Sequence, residues 1–167
     1  MIDVKEKIGF FYEITQISPS GVVIAHEKVH NLMPNEGIQH VIKLLFQNDT
    51  SQSWFIAPYT NNYTPVAADT MAGFVTSAGE TEAYNQATRP AFTPSLSGDG
   101  LSVTNTGSEA EFTFNANTRV TGLFVCSNST KSSTSGILLS AALLTTAKQM
   151  EIDGVLRVNA GFSFASA

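Results

Sequence analysis

Three histidines, three pairs of acids, one cysteine and a run of hydroxyls are the groups in this chain that could do chemistry. His26, His30 and His40, with Glu27 and Glu36 nearby, hold enough donors for a zinc ion in principle. Their offsets match neither HExxH nor another compact metal signature. Exposed or locally hydrogen-bonded imidazoles are expected instead, and no metal. Glu80/Glu82, Glu109/Glu111 and Glu151/Asp153 each stand two residues apart. On a strand that spacing puts both carboxylates on one face, where they could bind a divalent cation or share acid–base work. A solvated strand face gives the same pattern, and no sugar-processing or calcium-loop motif accompanies any pair. Cys126 is the sole cysteine, which excludes an internal disulfide; its apolar setting reads as a small hydrophobe rather than a nucleophile. The serines after Asn128 lack a GxSxG motif and a nearby histidine–acid arrangement. NYT at Asn62 and NST at Asn128 fit glycosylation sequons, which matter only in a secretory cell. The expectation is a protein that is not an enzyme and uses no cofactor.

Composition narrows the class further. The chain has 167 residues, about one domain, and needs no metal or disulfide staple to bury a core. Hydrophobic residues make up 43% and charged residues only 14%, against about 25% in an average protein. Ser, Thr, Asn and Gln must therefore supply much of the polar surface, and part of that surface is expected to be covered in an assembly. The net charge is −5, with no Lys/Arg cluster of the kind that neutralises phosphates, so direct nucleic-acid binding is not expected. The opening MIDVKEKIGFF mixes charges and lacks a long apolar run, and no stretch has membrane-spanning length. A soluble product that avoids membranes is expected.

The elements that would position these groups are mostly strands. Arg119 to Leu144 contains two apolar segments, Val120–Cys126 and Ile137–Leu144, around the polar run from Asn128 to Gly136. They read as a long hairpin with a solvent tip. Lys7–Ile17 and Val22–Val29 form a first hairpin across Ser18–Gly21, with Phe10, Tyr12 and Ile14 on one parity. Ile38, Val41, Ile42 and Leu45 recur at helical spacing, predicting one short helix over 35–47 that covers a side or end of the β scaffold. Pro34 suits its first turn, while Gly37 weakens it. Ser53–Tyr59 reads as a strand covered from both sides, with Pro58 marking an edge or strand end. Residues 60–88 form an irregular excursion with a short strand or helical turn near Met71–Thr76.

The strand signal returns in RPAFTPSL, LSVTNT and Glu109–Asn115, where Ala110, Phe112 and Phe114 alternate with polar residues. The last segment, GVLRVNAGFSFASA, sets Leu156, Val158, Ala160, Phe162 and Phe164 on one parity. Eight to ten strands with short connections predict an all-β chain, a two-sheet antiparallel β-sandwich with a jelly-roll order as one arrangement and a barrel as the alternative. One domain spanning 1–167 is expected.

Three segments carry a family resemblance: HNLMPNEGIQHVIKLLF, YTPVAADTMAGF with EAYNQATRPAF, and VTGLFVCSNSTKSSTSGILLSAALL. In this order they resemble tailed-bacteriophage virion structural proteins, a class of β-rich head-decoration and tail-associated components. The resemblance implies synthesis in the host cytoplasm, a place in the virion on the capsid surface or in the tail or baseplate, and partners among capsid or neighbouring virion proteins. It assigns no catalytic residue. Within the matching segments Tyr84, Arg89, Pro90 and Phe92 would form a packing surface, Arg89 making a directional ion pair either within the chain or across an interface. Phe10, Tyr12, Asn128 and Lys131 complete the expected interface set. A homo-oligomer, a trimer or dimer, fits the charge-poor surface. The competing reading is a receptor- or glycan-binding module in which Trp54, Tyr59, Asn61, Asn62 and Tyr63 make an aromatic recognition surface.

Overall fold

The computed structural model describes residues 8–164, and these form ten strands and two helices. In chain order they are β1 (Ile8–Ile17), β2 (Val23–His30), α1 (Asn35–Phe46), β3 (Trp54–Tyr59), α2 (Met71–Ala78) and β4 (Ala91–Phe92). There follow β5 (Ser95–Leu96), β6 (Ser102–Thr104), β7 (Ala110–Thr113), β8 (Thr118–Cys126), β9 (Leu138–Met150) and β10 (Val155–Phe164). Lys7 and the last three residues, to which the strand expectations extended, lie outside the described residues.

Two antiparallel sheets pack face to face. One runs β2-β1-β10-β6-β5, with β7 also paired to β10; the other runs β4-β3-β8-β9. The two expected hairpins are the paired strands β1–β2 and β8–β9. The β-sandwich expected from the strand pattern is therefore the fold, and this strand order is its topology. β1 lies against β10 from Ile8↔Phe164 to Ile17↔Val155, so the two ends of the described chain form the centre of the first sheet.

Parity decides what each strand buries. Phe10, Tyr12 and Ile14 of β1, Phe112 of β7 and Leu156, Val158 and Ala160 of β10 face inward. They meet Ile56, Leu123, Val125, Leu139 and Leu144 of the second sheet. Tyr12 also crosses the core as a polar strut, its hydroxyl 2.8 Å from Ser140 Oγ. Burial pushes that phenol far above its ordinary pKa, so it stays neutral and can keep the bond.

The second sheet is covered on its outer face too. Ala57, Tyr59, Phe124 and Cys126 point away from the sandwich core into a second cluster with Met71, Phe74, Val75 and Ala78 of α2. Phe74 stands edge-on to Tyr59, Tyr63 and Phe124. The single helix expected from the sequence is thus joined by a second, which falls in the excursion where a short strand or helical turn was expected near Met71–Thr76. β3 is also not a free edge. β4 pairs with it only opposite Trp54 and Phe55, so Pro58 sits beyond the short β4 ladder, where its missing N–H costs nothing.

Neighbouring elements are joined by two glutamates. Glu36 of α1 accepts hydrogen bonds from the Met71 N–H (2.8 Å) and the Leu138 N–H (2.7 Å), linking both helices to β9. The first of these satisfies an orphan donor at the start of α2, whose Thr70 gives no side-chain cap. Glu27 of β2 accepts from the Thr145 N–H (2.6 Å) and from Lys148 Nζ, closing the sandwich along its β2/β9 margin.

Burial opposes the Glu27 charge, but the Lys148 and Thr145 hydrogen bonds outweigh it and hold the carboxyl below its ordinary 4.5. A carboxyl depressed in the folded chain stabilises the fold above its unfolded pKa, and that contribution disappears as pH falls through the folded value. Glu27→Gln is therefore expected to lower stability at neutral pH while flattening its fall below pH 4.5. Urea unfolding of both proteins across that range checks the pair of slopes.

Candidate interaction surface

The surface with the least ordinary chemistry belongs to α1. Gly37, His40, Val41 and Leu44 face the sandwich, a set at i, i+3, i+4 and i+7. Of the apolar stripe Ile38, Val41, Ile42 and Leu45, only Val41 packs on the core. Ile38, Ile42, Leu45 and Phe46 are 41%, 49%, 67% and 79% exposed. The helix does cover the scaffold as expected, but it is turned by about one residue, roughly 100°.

The cause lies beneath it. A Cβ on Gly37 would stand 2.5 Å from the Leu139 carbonyl oxygen and 2.9 Å from that of Leu138. Glycine lets α1 rest directly on the β9 backbone, and Glu36 holds it in that rotation. His40 then takes an inward seat, edge-on to Trp54 and 3.4 Å from Asp49 through Nδ1.

Beside the exposed stripe runs an apolar groove of about 350 Å³, walled by Phe10, Leu32, Ile38, Val41, Ile42 and Phe162. Phe162 also borders a second hollow, about 210 Å³, against Leu96, Leu101 and Val103. Greasy surface therefore continues from the helix across one edge of the first sheet. Scattered apolar residues are normal on a protein surface; a contiguous face with a groove in it marks a place where something docks.

Several of the residues expected to form an interface pack inside the chain, and Arg89 makes its ion pair within the chain, one of the two alternatives expected for it. Phe10, Tyr12, Tyr84 and Phe92 are buried within the chain itself, though Phe10 reaches the groove wall. Arg89, 1% exposed, is a hub. Its Nε and Nη2 grip Glu80 at 2.9 and 2.5 Å. Nη1 donates to the Asn128 carbonyl (2.8 Å) and Cys126 Sγ (3.2 Å), and Nη2 to the Ser133 carbonyl (3.0 Å). All five guanidinium N–H groups thus have a partner. Burial works against the Arg89 charge, but the Glu80 carboxylate more than offsets it and raises the pKa.

Lys131 lies 3.7 Å above the Tyr84 ring and donates to the Tyr84 carbonyl at 2.8 Å. Its partial burial lowers its pKa. Together Arg89 and Lys131 tie the polar connector 127–137 to the segment 80–89. Pro90 follows directly, its carbonyl accepting from the Ile56 N–H.

The expected aromatic recognition set is likewise dispersed. Tyr59 is fully buried, Trp54 packs on the sandwich core, and Tyr63 is half-buried with its hydroxyl donating to Asp69 at 2.6 Å. Asn61 and Asn62 are exposed, Asn61 being bonded to the Ser77 carbonyl. Two of the three acid pairs are divided: Glu80 is buried with Arg89 while Glu82 is exposed, and Glu111 pairs with Arg157 while Glu109 accepts from the Gly107 N–H; Glu151 and Asp153 are both exposed in the turn before β10. Among the described residues no three His, Cys, Asp or Glu side chains are grouped to hold a metal ion.

A polar hollow of about 220 Å³ on the first sheet's outer face gathers Glu13, His26, Glu109, Arg157 and Asn159. Its ionisable groups have partners: His26 Nε2 lies 3.0 Å from Glu13, Arg157 pairs with Glu111 beside the hollow, and Glu109 accepts from the Gly107 N–H. No described helix is long and apolar enough to cross a membrane. No family model, curated protein or solved structure matches the chain. What fold and surface define is a β-sandwich that carries a helix with its apolar side facing outward.

Proposed function

We propose that this protein is a non-enzymatic structural component of a tailed-phage particle, a capsid decoration or stabilising protein that works by burying surface against its neighbours. The observation that supports the reading is the outward apolar stripe of α1 beside its groove. A cytosolic monomer gains nothing by exposing Leu45 and Phe46, whereas a subunit of an assembly recovers the hydrophobic free energy when a neighbour covers them. Two further features fit that role. The sandwich is packed on both faces of its second sheet, a rigid support for a docking face. The connector 127–137 is held by buried polar contacts rather than left loose.

The resemblance of three segments to virion structural proteins supplies the phage context. The test is to label the protein in intact particles and locate it by electron microscopy. Regular density over the capsid is the expected result. Density confined to the tail would move the protein to a tail or baseplate role, and absence from particles would end the virion reading.

A further inference from the structure

The outward face of α1 has the shape and chemistry to bind a second copy of itself, and we propose that the protein forms a two-fold dimer through antiparallel pairing of this helix. The proposal rests on the assembly reading above and names the partner of that same surface.

Three observations favour a second copy over another occupant. The first is self-complementarity. A two-fold axis at Ile42 sets that residue against its own copy, and Phe46, four residues on, opposite Ile38, four residues back. The offset is about 6 Å each way along the helix. The most protruding side chain, Phe46, then meets the groove wall formed by Ile38 and Leu32, and the same contact is made twice, as an isologous interface requires.

The second is area. Phe46 is 79% exposed and Leu45 67%. With Leu32, Ile38 and Ile42 the patch amounts to on the order of 400 Å² of apolar surface per copy. If apolar atoms supply about 60% of the contact, two such patches correspond to roughly 1,300 Å² in total, inside the range of a stable interface.

The third is charge. The exposed face of α1 carries one charged side chain, Lys43, so little ionic desolvation opposes pairing. Antiparallel packing also sets each helix's positive end beside the other's negative end.

The experiment is sedimentation velocity on the full chain over a wide concentration range, with two variants at exposed positions. Wild type is expected to dimerise. Phe46→Glu is expected to raise the dimer dissociation constant about thirtyfold or more with an unchanged far-ultraviolet spectrum, the loss of a central anchor. Ile42→Cys is expected to give a disulfide-linked dimer under mild oxidation, the native Cys126 being buried. Val23→Cys, exposed at the far end of β2, serves as the control and should not cross-link.

A monomer at every concentration, a trimer, a dimer indifferent to Phe46→Glu, or equal cross-linking at positions 42 and 23 would overturn the proposal. Particle binding separates the two readings. A monomer that still decorates particles ends this inference alone, whereas a dimer absent from particles ends the virion reading alone.

Discussion

Replacing Arg89 with methionine is expected to cost about 3–5 kcal/mol of stability, the range for breaking a buried ion pair by removing one partner. Both side chains of the Arg89–Glu80 pair are fully buried, so methionine leaves a carboxylate in the interior with no counter-charge. The Asn128 and Ser133 carbonyls lose their donors in the same step, and the Arg89 guanidinium is also stacked near the Phe124 ring. In a chain of this length each kcal/mol lowers the melting temperature by about 2–4 °C, so a fall on the order of 10 °C is expected. Faster amide exchange over 127–137 should accompany it, because the connector is tied down by these bonds. Adding Glu80→Gln should recover part of the loss by removing the orphaned charge. A cost below about 1 kcal/mol, the worth of an exposed pair, would show that water reaches the site.

The hub shows where the sequence was informative and where it was not. Arg89 stood out within the central resembling segment as an arginine with a directional ion pair to make. Its partner did not, because Glu80 lies nine residues away across an excursion with no periodic pattern. Alternating strands were the most legible elements. In β7 and β10 every second residue is apolar, and Ala110, Phe112, Leu156, Val158 and Ala160 of that set fill the core, with Phe162 packed at its margin. α2 was only half visible. Its eight residues, MAGFVTSA, include a glycine and a threonine and have no side-chain cap. Such a segment has little helical tendency alone. What makes it a helix is tertiary: Glu36 caps Met71 from 35 residues away, and Phe74 fills the space between Tyr59 and Phe124. That second core also explains why Tyr59 resembled a surface aromatic in the sequence and is buried in the fold.

The rotation of α1 carries the same lesson to the candidate site. A periodic apolar stripe is normally read as facing the core, and Ile38, Val41, Ile42 and Leu45 make such a stripe. The helix in fact has two overlapping faces, 38/42/45/46 and 37/40/41/44, and the less apolar one is buried. Hydrophobicity alone would choose the other face. Steric fit decides against it, because only the glycine side can lie flat on β9.

Gly37→Ala tests that account with an effect opposite in sign to helix propensity. In an open helix, alanine for glycine stabilises by about 1 kcal/mol. Here the added methyl would stand 2.5 Å from one backbone carbonyl oxygen and 2.9 Å from another, neither of which can swing aside as a side chain would. The helix must lift or turn, which strains the Glu36 bond to the Leu138 N–H and opens the packing of Val41 against the core. A net loss of about 3 kcal/mol is expected, at the upper end of overpacking costs. It should appear as a lower urea midpoint with an unchanged slope. Because the outward stripe rides on the same seat, the variant should also weaken self-association at concentrations where the monomer remains folded. A stabilised Gly37→Ala protein would mean that α1 does not lie on β9 as described, and the orientation of Ile42 and Phe46 would have to be abandoned with it.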